Sequence, residues 1–99
     1  MGACGINGLS LNRYNPKRDS NEPEIAQAFR NLGCSVTALS GKGVPDLLVE
    51  INRQWVLVEV KTPKGKLTPP QKAFFATATA PCYVATSLDD VTRIYTAVS

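Results

Sequence analysis

Apolar and polar positions alternate along most of the chain with spacings that predict regular structure from about residue 20 onward. The first predicted element is a helix that begins at Ser20 or Asn21, where a capping residue precedes a proline in the first turn. Gly33 ends this helix. Between these limits, large apolar residues recur at helical spacing: Ile25, Phe29 and Leu32.

Short runs rich in Val, Leu and Ile predict strands in the rest of the chain. A second helix is predicted where Thr68 precedes two prolines and Gln71, which has the spacing of a capping box. The pattern near the C-terminus fits a short helix or a strand, and it does not distinguish between them. The predicted segments are strands at residues 34–39, 44–51, 54–61 and 82–85, a helix from Thr68 to about Ala78, and an element of open type at residues 89–97.

The order of these elements, α-β-β-β-α-β, predicts an α/β fold. A strand, a crossover helix and a further strand imply one parallel pair, which here joins an antiparallel hairpin. We therefore expect a small mixed β-sheet flanked by helices. A chain of 99 residues is long enough for one compact domain and too short for two. Residues 1–19 lack an apolar period and are interpreted as an irregular N-terminal arm, and residues 20–99 as the domain.

Composition narrows the possible functions. Apolar residues make up 43% and charged residues 19% of the sequence, as in an ordinary soluble globular protein. The formal net charge of +3 permits nucleic-acid binding without requiring it. The sequence contains no histidine, so any acid, base or metal ligand must come from other residue types. No segment approaches the roughly 20 apolar residues of a membrane span, and no signal peptide is apparent, so a cytoplasmic location is expected, in a bacterium or in the host if the gene is phage-encoded.

The hairpin formed by the two central predicted strands fixes which charged residues meet. If Asn52 and Arg53 are its two turn residues, continuing the ladder from that turn places Asp46 opposite Glu59. Because side chains alternate, Lys61 lies on the same face. The other face of the hairpin is apolar and is expected to meet the helices, through Leu47, Val49, Ile51, Val56, Val58 and Val60.

Two carboxylates on facing strands, with β-carbons roughly 5 Å apart, repel each other, and a bound cation reverses that repulsion. Carboxylate oxygens are the ligands that Mg²⁺ or Mn²⁺ prefers, and neither ion requires histidine. The ammonium group of Lys61 could position or activate a water molecule, or stabilise developing phosphoryl charge. The alternative interpretation is an ordinary exposed ladder of charges, with Asp46 capping the end of a strand.

The sequence resembles the PD-(D/E)XK nuclease superfamily through Pro45-Asp46 followed by Glu59-Val60-Lys61. Within that superfamily it resembles the VRR-NUC family. Three segments carry the resemblance, which extends from about Ser20 to Ala85: residues 43–49 (Gly-Val-Pro-Asp-Leu-Leu-Val), 57–61 (Leu-Val-Glu-Val-Lys) and 67–71 (Leu-Thr-Pro-Pro-Gln). The resemblance implies a restriction-endonuclease-like core.

The resemblance also implies roles for individual residues. It implies that Asp46, Glu59 and the main-chain carbonyl of Val60 bind a divalent metal, and that Lys61 assists the attacking water. Glu24 matches the acidic position of the family's first helix, where it would reach the metal through water. Its alternative role is a capping box with Asn21.

Gln71 matches the family's glutamine on the second helix, near the active site. It also fits the third helical position of a capping box that begins at Thr68. Four lysines near the predicted site are candidates for holding the DNA backbone, although ordinary solvent exposure explains them as well: Lys42, Lys64, Lys66 and Lys72.

The sequence therefore favours a metal-dependent endonuclease that hydrolyses DNA phosphodiester bonds, with Mg²⁺ or Mn²⁺ and no organic cofactor. Stand-alone members of the family suggest a homodimer and branched or four-way junction DNA as the substrate. A non-catalytic nucleic-acid-binding module and an accessory subunit of a DNA-processing complex are the alternative hypotheses.

Overall fold

The computed structural model of the protein describes residues 18–99, so most of the predicted N-terminal arm lies outside the described residues. These residues form an α/β fold in the predicted order α-β-β-β-α-β, followed by one more helix. The elements are α1 (Glu22–Asn31), β1 (Ser35–Ala38), β2 (Leu47–Ile51), β3 (Gln54–Val60), α2 (Pro69–Thr77), β4 (Cys82–Ala85) and α3 (Leu88–Val98).

The four strands form one mixed sheet in the order β1-β2-β3-β4. The pairs β1–β2 and β2–β3 are antiparallel, and β3–β4 is parallel. The β2–β3 ladder runs from Ile51 opposite Gln54 to Leu47 opposite Val58, which is the register that the sequence predicts. Asn52 and Arg53 form the turn, and both have positive φ values, as a two-residue hairpin requires.

The core lies between one face of the sheet and two helices. Helix α1 packs against α3 and β1, and α3 packs against β4. The sheet side of this core is the predicted apolar face, and each of its hairpin residues is at most 1% exposed: Leu47, Val49, Ile51, Val56, Val58 and Val60.

Helix α2 lies toward the other face of the sheet and buries none of its residues fully. Its position follows from Gln71, whose side chain bonds to Glu59 on the face opposite the core. The C-terminal element of open type is a helix, because Ser87 caps it and Val91 and Ile94 are buried at helical spacing. No helix of the described residues is long and apolar enough to cross a membrane.

Strand β2 begins at Leu47, later than the predicted start at Val44. Pro45 has no amide proton to donate to a ladder, and Val44 instead closes a turn with the carbonyl of Gly41. Asp46 therefore directly precedes the first residue of β2. There its carbonyl accepts a hydrogen bond of 2.7 Å from the amide of Leu39.

Candidate nuclease active site

Asp46, which directly precedes β2, is held by hydrogen bonds to β3 and to the residue that follows β1. Its Oδ2 accepts a hydrogen bond of 2.8 Å from the amide of Val60 on β3, so a carboxylate takes the place of a ladder carbonyl. The main chain of Asp46 is tied to Leu39 on the other side. These two bonds fix the carboxylate beside Glu59, which Val60 follows in the chain.

Glu59 is a buried carboxylate, with 1% of its surface exposed, on the face of the sheet opposite the core. Its Oε2 accepts a hydrogen bond of 3.0 Å from Nε2 of Gln71 and lies 3.7 Å from Nζ of Lys61. Its Oε1 is buried without a hydrogen-bond partner. A buried carboxylate oxygen with no donor is costly, so its presence indicates a place for a ligand.

The surroundings of Glu59 oppose its negative charge. Burial raises the pKa of Glu59 to about 8, and the negative charge of Asp46 acts in the same direction. Lys61 partly offsets this by lowering the pKa. Two carboxylates held together in this way form a site that favours either a proton or a cation between them.

Lys61 follows β3 directly, and its amide bonds to the carbonyl of Ala85 at 3.0 Å, which continues the parallel pairing with β4. Its side chain is mostly buried, with 13% exposed, and its ammonium faces Glu59. The structure thus brings together Asp46, Glu59 and Lys61, as the hairpin register predicts.

The side chain of Gln71 lies in both of the places that the sequence suggests for it, the capping box and the cluster around Glu59. Its Oε1 accepts a hydrogen bond of 2.8 Å from the amide of Thr68, and its own amide is paired with the Thr68 hydroxyl, which completes a capping box at the start of α2. Its Nε2 donates to Glu59. Because the cap fixes the amide group, the donor points toward the carboxylate.

Glu24 is not brought into this cluster. It is exposed on α1, where it lines a shallow groove with Gln27, Ala28, Asn31 and Leu88. It also forms no capping box, because the side chain of Asn21 makes no capping hydrogen bond. Residues two positions apart on an α-helix point about 200° apart, so Glu24 points away from the side of α1 on which Glu22 contacts Arg18.

The residues that sequence reasoning missed lie just before α1 and within its first turn. Arg18 donates from Nε to Oε1 of Glu22 at 2.8 Å, and its Nη2 lies 3.8 Å from Oδ1 of Asp46. The hydrogen bond to Glu22 raises the pKa of Arg18. Asp19 accepts a hydrogen bond of 3.1 Å from the amide of Thr62. The only local signal is the spacing of Arg18 and Glu22, four residues apart, which is common on protein surfaces.

Asn21 connects the start of α1 to the end of the sheet. Its Nδ2 donates to the carbonyls of Lys61 at 3.1 Å and of Thr86 at 3.3 Å, beyond the ends of β3 and β4. Together with Arg18 and Asp19 it ties the chain before α1 to the site. The predicted boundary between arm and domain at residue 20 therefore cuts through a segment that is bonded to the domain.

The four candidate lysines, Lys42, Lys64, Lys66 and Lys72, are all exposed. The loop that carries Lys42 packs against the start of α2, since a Cβ built on Gly43 would lie 2.9 Å from the carbonyl oxygen of Pro70. Gly43 also has φ +79°, a conformation that side chains disfavour. This contact brings Lys42 close to the helix that carries Gln71 and Lys72.

The donor set suits a hard divalent cation better than a soft one. Asp46 and Glu59 supply carboxylate oxygens, one of them without a partner. Within residues 18–99, no group of three or more carboxylate or cysteine side chains is arranged to hold a metal ion by itself. Asp46 and Glu59 supply two carboxylate groups, so a main-chain carbonyl and water would complete the ligands of an ion held between them.

The fold and this cluster of acids, lysine and glutamine define a nuclease-type α/β domain. A family model of the VRR-NUC domain matches residues 13–85. A solved structure described as a VRR_NUC domain is 28% identical, with a TM-score of 0.60, over 77% of this chain and 95% of that one. Among curated proteins, none matches this chain. The chain belongs to the VRR-NUC family, and DNA is the substrate class that a nuclease domain implies.

Proposed function

We propose that this protein is a divalent-metal-dependent DNA endonuclease of the PD-(D/E)XK type. The observation that supports this most strongly is Glu59, a buried carboxylate held beside Asp46 with one oxygen unpartnered. Such a pair is unfavourable on its own and becomes favourable around a cation. A protein that used these residues only for folding would gain stability from a neutral or apolar residue at position 59.

Asp46, Glu59 and the main-chain carbonyl of Val60 would hold Mg²⁺ or Mn²⁺, with water molecules as the remaining ligands. When bound, the ion lowers the pKa of a coordinated water and polarises a phosphoryl oxygen. Glu22, rather than Glu24, is the acidic residue of α1 that is linked to this site, since Arg18 contacts both Glu22 and Asp46.

Lys61 and Gln71 supply the remaining chemistry. Nζ of Lys61 lies 3.7 Å from Oε2 of Glu59, and this ammonium can turn to orient the attacking water or to neutralise developing charge on the phosphate. Gln71 holds Oε2 of Glu59 through its donated hydrogen bond, which leaves Oε1 for the ion. Hydrolysis then proceeds by in-line attack of water on the phosphorus: the new P–O bond forms as the P–O bond to the opposite ester oxygen breaks, the attacking water gives up a proton to solvent, and the departing oxygen takes up a proton from solvent and leaves as a hydroxyl group.

The exposed lysines would hold the DNA backbone. Lys42 and Lys72 lie on neighbouring segments beside the site, and Lys64 and Lys66 lie in the loop that links β3 to α2. Phosphate contacts of this kind position the substrate without reading its sequence. Replacing any one of them should weaken DNA binding and reduce its salt dependence, with little effect on the cleavage step itself.

The substrate we propose is branched DNA, including four-way junctions, cut by a homodimer. The support is the family to which the chain belongs and its small size, because one domain of this size covers few base pairs. Light scattering of the purified protein tests the assembly. A monomer at micromolar concentration would contradict it.

The proposed function is tested by a panel of linear, flapped and four-way DNA substrates, each incubated with and without Mn²⁺. We expect cleavage only with the ion, and none by Asp46→Asn. Calorimetric titration of Mn²⁺ into the parent and into Asp46→Asn gives an independent measure of the site. DNA binding that needs no ion, without cleavage and without a Mn²⁺ signal, would identify a non-catalytic binding module instead.

A further inference from the structure

Arg18 lies beside the proposed site, and the chemistry proposed above gives it no role. Its side chain is 31% exposed and crosses one end of the sheet. Nε donates to both carboxylate oxygens of Glu22, at 2.8 and 3.0 Å. Nη2 donates to the carbonyls of Leu39 at 3.1 Å and of Asp46 at 3.2 Å.

These contacts join separate parts of the fold around one residue. Glu22 belongs to the first turn of α1, Leu39 follows β1, and Asp46 precedes β2. The last two are already paired through the amide of Leu39 and the carbonyl of Asp46. Arg18 therefore ties the helix to the strand ends at the point where Asp46 enters the site.

The charge of Arg18 also matters, because it faces the acidic side of the site. Its Nη2 lies 3.8 Å from Oδ1 of Asp46, while Oδ2 of the same carboxylate bonds to Val60. One carboxylate oxygen is thus held by β3 and the other lies beside the guanidinium. Such outer contacts commonly fix the orientation of metal-binding carboxylates.

We propose that Arg18 is a positioning residue, which holds the main chain and the carboxylate of Asp46 in the orientation needed for phosphodiester hydrolysis. This inference rests on the proposed nuclease function. Arg18 acts through Asp46 and does not contact the reacting atoms. A lysine cannot replace it, because an ammonium lacks the planar fork that donates to Glu22 and to two carbonyls at once.

Two other roles make different predictions. If Arg18 contacted the DNA phosphate, its removal would raise KM and leave kcat unchanged. If it supplied only positive charge, its removal would make the site more negative and tighten Mn²⁺ binding, and lysine would restore the parent behaviour. A positioning role predicts a fall in kcat and weaker Mn²⁺ binding, with no rescue by lysine.

The test compares Arg18→Lys and Arg18→Met with a matched control, Arg30→Met. Arg30 also donates to a strand carbonyl, that of Val36, but it lies at the other end of α1. For both Arg18 variants we expect kcat to fall by about 10–100-fold and Mn²⁺ to bind about tenfold more weakly, with KM nearly unchanged. The control variant should have the same kcat, KM and Mn²⁺ affinity as the parent. Unchanged kcat, tighter Mn²⁺ binding or rescue by lysine would overturn the proposal.

A second measurement does not depend on activity or on metal. The amide of Val60 donates a hydrogen bond to Asp46 Oδ2, and the amide of Leu39 donates one to the Asp46 carbonyl. Hydrogen exchange at both amides should accelerate about tenfold in the Arg18 variants, while Val49 in the core keeps its protection. Equal acceleration at all three sites, or none at Val60 and Leu39, would contradict the positioning role. If the parent cleaves no DNA, the proposed function fails, and this exchange measurement still tests Arg18.

Discussion

At the scale of single residues, Glu59 links stability to the site. Because its pKa in the folded protein is about 8, above its ordinary value of 4.5, the folded state binds a proton more tightly than the unfolded state. The contribution of protonated Glu59 to stability is therefore complete below pH 4.5, and it is lost as the pH rises toward 8. Without metal, the site opposes folding at neutral and alkaline pH.

Glu59→Gln removes the buried carboxylate whose negative charge opposes folding at neutral and alkaline pH. At pH 8 without metal, we expect the variant to be more stable than the parent by on the order of 1–3 kcal/mol, the penalty of a buried polar group without a partner. At pH 4 the difference should shrink. Urea unfolding at both pH values measures this difference, and Glu50→Gln, in β2 on the same face of the sheet as Glu59, is the control. A parent that is as stable at pH 8 as its Gln variant would contradict this account of Glu59.

The two functions of Gln71 can be separated by substitution. Gln71→Glu keeps an acceptor for the amide of Thr68 but replaces the donor to Glu59 with a negative charge, whereas Gln71→Met removes both contacts. We expect both variants to lower kcat, by roughly 10–100-fold, as is common when a contact to a metal ligand is lost. Only Gln71→Met should also weaken α2, by about 1 kcal/mol. Steady-state kinetics and urea unfolding measure the two effects. If Gln71→Glu cleaved DNA as fast as the parent, the contact with Glu59 would have no catalytic role.

The site residues found from sequence share one property, which is that local geometry places them. Asp46, Glu59 and Lys61 meet because of the hairpin register, and Gln71, which the family resemblance implied to lie near the site, is oriented by a capping box. Arg18 could not be found in this way, because its partners Leu39 and Asp46 are 21 and 28 residues distant in the chain. Such contacts depend on how elements pack together, and no periodic pattern marks them.

At the scale of elements, the β2–β3 hairpin contains a strained turn. Arg53 has φ 68°, in the left-handed region that glycine tolerates better than other residues. Arg53→Gly creates an Asn-Gly turn, which is favoured in two-residue hairpins. We expect it to raise the free energy of unfolding by about 1 kcal/mol, as measured by urea unfolding. Arg53→Ala removes the same charge but keeps a Cβ, so it should give no gain. An equal gain in both variants would mean that charge, and not backbone strain, limits the turn.

Sequence patterns predict the presence of the elements better than their exact boundaries. The predicted start of the second strand at Val44 is wrong by a few residues, because Pro45 lacks the amide that a ladder needs and the chain turns at Gly41 instead. The sequence pattern does not distinguish a helix from a strand for the last element. The structure shows a helix, in which tertiary packing buries Val91 and Ile94. The sheet itself, with one parallel and two antiparallel pairs, has the mixed topology that the order of elements implies.

At the scale of the whole molecule, metal binding and folding should be linked. An ion that binds only the folded state stabilises it by about 2.7 kcal/mol at a concentration one hundred times its Kd. We therefore expect Mn²⁺ to raise the thermal midpoint of the parent and not that of Glu59→Gln. The increase should be larger at pH 8 than at pH 6, because the ion competes with the proton on Glu59. Differential scanning calorimetry measures this, and an equal increase in both proteins would place the ion elsewhere.

We propose that Asp46, Glu59 and Lys61 together hydrolyse DNA with a divalent ion. Single-turnover cleavage of a four-way junction and its linear arms, by the parent and by Lys61→Ala, with and without Mn²⁺, tests this role. We predict that the parent cleaves only with Mn²⁺, and that Lys61→Ala binds the ion and the DNA but loses at least about 100-fold in rate. Cleavage by Lys61→Ala at the rate of the parent, or no cleavage of any substrate by the parent with Mn²⁺, would contradict the account.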